Sequence, residues 1–230
     1  MSDSLNRPSQ RLLPAIISAV QADHLTYLEE DALRDLHDGV EEIERRGLDG
    51  ALVEAGCALG GSAIVIATAK SPRRPFYVYD VFGMIPPPSD QDGPEVHERY
   101  QVIRTGKSEG LGGHRYYGYE SDLLEQVIGN FRRHGVPPES TSTYFVKGLF
   151  QEAMQIDWPV AFAHIDGDWY ESVMTCLTRL APRLVPGGVL VIDDYDAWSG
   201  CRSAVDAYFT DKRAEFTFIR KTRLTIVRAE

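Results

Sequence analysis

Several things are scarce in this 230-residue chain, and each scarcity narrows the field. No block of lysine and arginine offsets a formal net charge of −10, which argues against nucleic acid or an anionic membrane as a partner. Cysteine is limited to Cys57, Cys176 and Cys201 at unrelated spacings. Neither a disulfide framework nor a zinc site is indicated, and a reducing cytoplasm fits. No apolar run has the length of a membrane span, and the stretch Leu12–Val20 is short, broken by Pro14 and without the flanks of a signal peptide. The dinucleotide spacing G-x-G-x-x-G is missing too: after Gly56 the next glycines are Gly60 and Gly61. That argues against a pyrophosphate cradle.

What remains is ordinary for a globular protein, at 43% apolar and 25% charged residues, and points to one α/β domain with elaborations. Two acidic clusters stand out within it, His164-Ile165-Asp166-Gly167-Asp168-Trp169-Tyr170 and Val189-Leu190-Val191-Ile192-Asp193-Asp194-Tyr195. Each ends an apolar run that reads as a buried strand. Carboxylates at the carboxyl ends of neighbouring strands lie where open α/β sheets bind ligands. Asp166, Asp193 and Asp194 would repel one another unless a cation neutralised them, and an all-oxygen donor set suits magnesium or calcium. The competing reading is of solvated or helix-capping acids.

An earlier strand, Gly50 to Ala55, runs into the turn Gly56–Gly61 and then an apolar helix, Ala63–Ala69. Glu54 at its end would repel a diphosphate and welcome a cationic ligand, such as the amino group or sulfonium of S-adenosylmethionine. The next strand, Phe76–Asp80, ends in an acid 24 residues after Gly56, placed to accept hydrogen bonds from ribose hydroxyls. Gly148 and Gln151 follow the strand Thr143–Val146, where a side-chain amide could read a purine edge.

The segment from about residue 83 to 120 is rich in proline and glycine and shows little hydrophobic periodicity, which reads as a lid. Its Tyr116, Tyr117, His97, His114 and Arg115 suit a polar substrate. Helices are expected over Leu12–Val20 and about His24–Arg46, the latter from Leu33, Leu36, Val40 and Ile43 at helical spacing. Together these give a helical extension over residues 1–47 and a mostly parallel seven-stranded domain over 48–230. Its last strand pair, Phe216–Arg220 and Leu224–Arg228, is expected to be antiparallel.

The segments Val53–Gly56 with Gly60-Gly61, Tyr79–Gly83, Val146–Phe150, Asp166-Gly167-Asp168-Trp169-Tyr170-Glu171-Ser172 and Ile192–Tyr195 resemble the macrocin O-methyltransferase family. The resemblance implies a Rossmann-like class I fold and methylation of deoxysugar hydroxyls in antibiotic biosynthesis, with S-adenosylmethionine and Mg²⁺. It further implies Asp166, Asp193 and Asp194 as metal ligands, and Glu54, Gly56, Gly60, Asp80, Phe82, Gly148 and Gln151 around the cofactor. A homo-oligomer acting on a small-molecule sugar or glycoside is implied as well. The more distant catechol O-methyltransferase plan has a lysine base where this chain has Trp169, so that mechanism does not carry over.

A sugar hydroxyl is a poor nucleophile at neutral pH, so a base is needed. Asp166 is the first candidate, with Asp168 and His164 behind it. His164 sits in an apolar strand, where a satisfied core histidine is the commoner outcome. The alternatives are a catechol-type small-phenol methyltransferase, a nicotinamide-dependent oxidoreductase, and a non-catalytic binding protein that would be expected to have lost the acids.

Overall fold

The computed structural model describes residues 8–230, with side chains from residue 13; the first seven residues of the expected extension lie outside that range. Two helices, α1 (Pro8–Ala22) and α2 (Glu30–Arg46), come before the sheet. Then follow β1 (Ala51–Ala55), α3 (Gly61–Ala69), β2 (Phe76–Asp80), α4 (Pro94–Arg104), α5 (Leu123–Arg133) and β3 (Thr143–Lys147). The second half holds β4 (Val160–Ile165), α6 (Tyr170–Leu180), β5 (Leu184–Ile192), α7 (Ser199–Phe209), β6 (Phe216–Arg220) and β7 (Leu224–Arg228).

The strands form one seven-stranded sheet in the order β3-β2-β1-β4-β5-β7-β6. The first five run parallel, and β7 pairs antiparallel with both β5 and β6, as expected. Every residue of β1 and β4 is buried, which is why these strands read as continuous apolar runs rather than alternating ones. The chain leaves β1 towards β2 on one side and has β4 on the other, so the crevice outside the carboxyl ends of β1 and β4 is the topological switch point.

Helices cover both faces. Leu52, Phe76, Val78, Phe162 and Val191 meet side chains of α1, α2, α3 and α5. Val53, Ala55, Ala163, Ile165, Leu190 and Ile192 meet α6 and α7. The stripe Leu33, Leu36, Val40 and Ile43 of α2 is buried, each side chain contributing roughly 1.5–3 kcal/mol by leaving water. Gly39 lets α2 approach the sheet closely, since a Cβ there would stand 3.0 Å from the Phe162 ring. Gly47 ends α2 in the left-handed conformation with its N–H donated to Glu44.

Three expectations are corrected. The second helix starts at Glu30, not near His24, because His24 takes a left-handed φ of 55° and the Leu25 carbonyl accepts the Gly61 N–H at 3.0 Å. The strand read from the apolar run at Val189 begins earlier, at Leu184, so that Pro186-Gly187-Gly188 lies inside β5, absorbed by a register shift against β4. The stretch between β2 and α5 is not featureless, since it carries α4, with Val96 and Ile103 buried seven positions apart. Proline did not break that helix because Pro94 stands at its first position, where the missing N–H costs nothing. The stretch is fastened to the sheet's carboxyl edge: Trp169 Nε1–H donates to the Pro86 carbonyl at 2.9 Å, and the Tyr170 N–H donates to Asp92 at 2.7 Å. Among the described residues, no helix is long and apolar enough to cross a membrane.

Candidate active site

The turn after β1 is set by close packing. Gly56 has φ +87°, and a Cβ there would overlap the Asp166 carbonyl oxygen of the neighbouring loop, so only glycine fits. Next to it the Asp80 carboxylate accepts the Cys57 N–H at 2.8 Å and the Phe82 N–H at 2.7 Å. Burial pushes Asp80 above its ordinary pKa, against the pull of these amides. Ala58, Phe82 and Asp168 all have positive φ, three of the five non-glycine residues that do so among the described residues. Each such conformation costs about 1–3 kcal/mol, and such strain gathers at functional sites.

Two clefts open at this edge. The first, of about 600 Å³, is lined by Gly56, Asp80, Gln151, Leu149, Phe150 and Ser172, among others. The second, of about 930 Å³, is lined by Tyr27, Arg99, Tyr116, Trp198, Asp194 and Arg223, among others. They share a wall made of Cys57, Ala58, Ile85, Tyr117, Asp166 and Asp168. A group held in one cleft would face a group held in the other across Asp166 and Asp168.

The structure gathers Asp166, Asp168 and Asp194, with one carboxylate oxygen from each lying within 4.8 Å of the others. The Asp168 N–H also donates to Asp194 Oδ2 at 3.2 Å. Burial, and then the charges of Asp193, Asp194 and Asp168, push Asp166 well above the usual carboxylate range. Burial and the charges of Asp168 and Asp193 do the same to Asp194. Burial and Asp193 raise Asp168 to about 6, against a hydrogen bond from Trp198. Three crowded carboxylates short of positive charge, with oxygen donors only, are what a hard divalent cation relieves. The donor set therefore fits such an ion.

Asp193 stands apart from this trio. Its Oδ1 accepts Arg223 Nε–H at 2.7 Å and lies 3.6 Å from His164 Nε2. Burial would raise its pKa, but His164 and Arg223 outweigh it and lower the carboxyl below its ordinary value. His164 is fully buried, and its Nδ1 meets Glu54 Oε1 at 2.9 Å. Burial would lower the imidazole; interactions with Asp193 and Glu54 lift it instead to about 9.

Of the residues expected around a cofactor, Gly56, Asp80 and Gln151 line the first cleft. Glu54 lines neither cleft; it is wholly buried and turned to His164, which lies opposite it in the β1–β4 register. Phe82 is a core residue edge-on to Phe145, Gly60 starts α3 at φ +90°, and the Gly148 N–H donates to the Asp80 carbonyl at 3.0 Å. These last three frame the turns rather than the cleft. Within the insertion, Tyr116 and Tyr117 line the second cleft, while His97 bonds the Ser89 carbonyl and His114 lies against His24 with the two rings tilted. Arg99, Trp198 and Arg223 escaped the sequence reading, for no motif marks them. Asp168 carried a signal, the D-G-D repeat, and was ranked only as a base.

Comparison with known proteins gives a consistent likeness. The family model described as macrocin-O-methyltransferase matches residues 22–220. Over 210 residues the chain is 31% identical to the 8-demethyl-8-(2,3-dimethoxy-alpha-L-rhamnosyl)-tetracenomycin-C 4'-O-methyltransferase of Streptomyces olivaceus, covering 89% of this chain and 70% of that one. It is 30% identical to the demethyldecarbamoylnovobiocin O-methyltransferase of Streptomyces niveus, covering 80% and 66%. It is 31% identical to the mycinamicin III 3''-O-methyltransferase of Micromonospora griseorubida, covering 76% and 66%. The chain thus spans about two thirds of the length of these relatives. The solved structure of the O-methyltransferase NovP superposes with a TM-score of 0.79 at 22% identity, covering 96% of this chain and all of that one, a likeness of fold.

Proposed function

This chain belongs to the macrocin O-methyltransferase family and is an S-adenosylmethionine-dependent O-methyltransferase; within that class we propose that it methylates a sugar hydroxyl of a glycosylated natural product with the help of a divalent cation, Mg²⁺ by preference. The observation that carries this reading is the pair of clefts joined at Asp166 and Asp168. The Streptomyces olivaceus relative, whose name gives a rhamnosyl-bearing tetracenomycin as its substrate, supports the acceptor class.

In this reading the first cleft takes the methyl donor. Asp80 and Gly56 approach its ribose and backbone side, and Gln151 its base, while Glu54, Gly60, Phe82 and Gly148 hold the surrounding turns in shape. The donor supplies a methyl group on a positively charged sulfonium. The second cleft takes the acceptor sugar, stacked against its tyrosine and tryptophan walls. Asp166 and Asp194, with Asp193 and Asp168 beside them, hold the cation, which would lower the acceptor hydroxyl's pKa and orient it when bound.

The proton goes to a carboxylate. Both Asp166 and Asp168 face the two clefts, but Asp168 is the better acceptor, because it titrates at about 6 and is therefore ionised at neutral pH. The donor, when bound, would supply the methyl group and leave as a neutral thioether, and Asp168 would take the acceptor hydroxyl's proton. Charge is lost in that step, so a dry, aligned site is what the chain must provide. Tyr117, Ile85 and Trp169, closing over the junction, exclude water there.

We also place the protein in the cytoplasm, which suits three free buried cysteines, and expect a homo-oligomer, testable by sedimentation. The reaction is tested by following methyl transfer from labelled S-adenosylmethionine to rhamnosylated aromatic acceptors and, in parallel, to catechol, with Mg²⁺ or with chelator. Sugar methylation that chelator abolishes is expected. Turnover of catechol alone would favour the small-phenol alternative, and full activity in chelator would remove the cation from the reading.

A further inference from the structure

Arg223 reaches the acid cluster from the turn between β6 and β7. Its Nε–H donates to Asp193 Oδ1 at 2.7 Å, and its two terminal nitrogens donate to Glu29 at 2.7 and 3.0 Å. Only about 20% of this side chain is exposed, and 12% of Asp193, so the contact is largely shielded from water. Asp166, Asp168 and Asp194 make no ion pair with a lysine, arginine or histidine among the described residues. Of the four carboxylates, Asp193 alone is already matched by a cation of the protein itself.

A guanidinium N–H and a divalent ion draw on the same lone pairs of Asp193 Oδ1. Resting on the cation reading above, we propose that Arg223 competes with the ion for Asp193, holding this carboxylate in the cation-free protein and yielding it when the ion binds. Glu29 makes the exchange feasible. It engages the two terminal nitrogens and leaves only Nε–H for Asp193, so a guanidinium that lets Asp193 go still keeps a partner. Arg223 is thus a positioning residue that sets how readily the cluster loads. Glu29 precedes α2 and adjoins Tyr27 and Leu28, which line the second cleft, so the same clamp reaches the acceptor's wall.

The test is a titration of Mn²⁺ alone into the full chain, without methyl donor, followed by calorimetry and by the fluorescence of Trp169 and Trp198 beside the cluster. Charge-assisted hydrogen bonds of this kind are worth enough that Arg223→Gln should tighten Mn²⁺ binding on the order of tenfold. Arg223→Lys, which keeps the charge, should stay near the wild type. Lys221→Gln, a charge removed from the same turn without contact to Asp193, should also stay near the wild type. In an Asp193→Asn background the effect of Arg223→Gln should vanish.

Unchanged or weaker binding by Arg223→Gln would overturn the proposal, since a residue that merely props Asp193 in place would weaken binding when lost. Equal tightening by Lys221→Gln would overturn it too, by reducing the effect to net charge. If neither wild type nor Arg223→Gln binds Mn²⁺, the cation reading itself fails, and with it this one.

Discussion

Replacing Asp168 by asparagine should stabilise the cation-free protein while disabling it. The carboxyl is raised from its ordinary 3.8 to about 6, by burial first and by Asp193 second. A group whose pKa is higher in the folded chain than in the unfolded one stabilises the fold fully below the unfolded value and loses that contribution as pH rises through the folded value. For Asp168 the loss falls between about pH 4 and 6, and the gap corresponds to about 3 kcal/mol. The side chain is partly exposed, so solvent screening reduces the usable figure to about 1–2 kcal/mol. Asparagine keeps the shape and removes the charge. In a protein of 230 residues that gain is worth about 3–6 °C in melting temperature. The assay is thermal unfolding in chelator at pH 4, 6 and 8, beside methyl-transfer rates with Mg²⁺ at pH 8. The variant should melt higher than wild type at pH 8, show little or no gain at pH 4, and turn over about 10²–10⁴-fold more slowly, as expected when a general base is lost. A melting temperature at or below wild type at pH 8, or the same gain at every pH, would refute the charge-repulsion argument.

Other consequences follow from the same geometry. His164→Phe leaves Glu54 wholly buried without a partner and should cost about 3–5 kcal/mol in urea unfolding, whereas a loss under 1 kcal/mol would show the pair to be dispensable. Because His164 is raised to about 9 from an ordinary 6.5, its contribution is complete below about pH 6.5 and disappears as pH rises through 9. The decline of stability over that window should be smaller in Glu54→Gln. Gly56→Ala forces a Cβ onto the Asp166 carbonyl and a side chain into positive φ; about 3 kcal/mol or more should be lost, and a wild-type denaturation midpoint would contradict the packing described. Asp80→Ala frees the Cys57 and Phe82 amides and should weaken S-adenosylmethionine binding at least about tenfold by calorimetry, while unchanged affinity would take Asp80 out of the donor cleft.

Much of this was legible in the chain because parallel central strands leave a strong trace. β2, β4, β6 and β7 fall where the apolar runs place them, and the acids that end β2, β4 and β5 stand at one edge of the sheet. The partners of those acids were harder to read. For Glu54 no partner was foreseen, yet two-residue alternation puts it on the same face as Leu52, where the register sets it against His164. The same alternation carries Asp193 towards His164 and Arg223, while Asp194 turns to Asp166 and Asp168. Arg223 and Arg99 owe their places to contacts across the chain, which no local pattern encodes. The helix α4 was hidden by the prolines and glycines before and after it and by Pro94 at its first position.

The most direct test is a crystal structure with S-adenosylhomocysteine and Mn²⁺ bound, using anomalous scattering to locate the metal. The account predicts a manganese peak within about 2.1–2.4 Å of carboxylate oxygens of Asp166 and Asp194, with the nucleoside in the first cleft and its sulfur directed at the shared wall. Manganese found elsewhere, or the nucleoside lying in the second cleft, would contradict it.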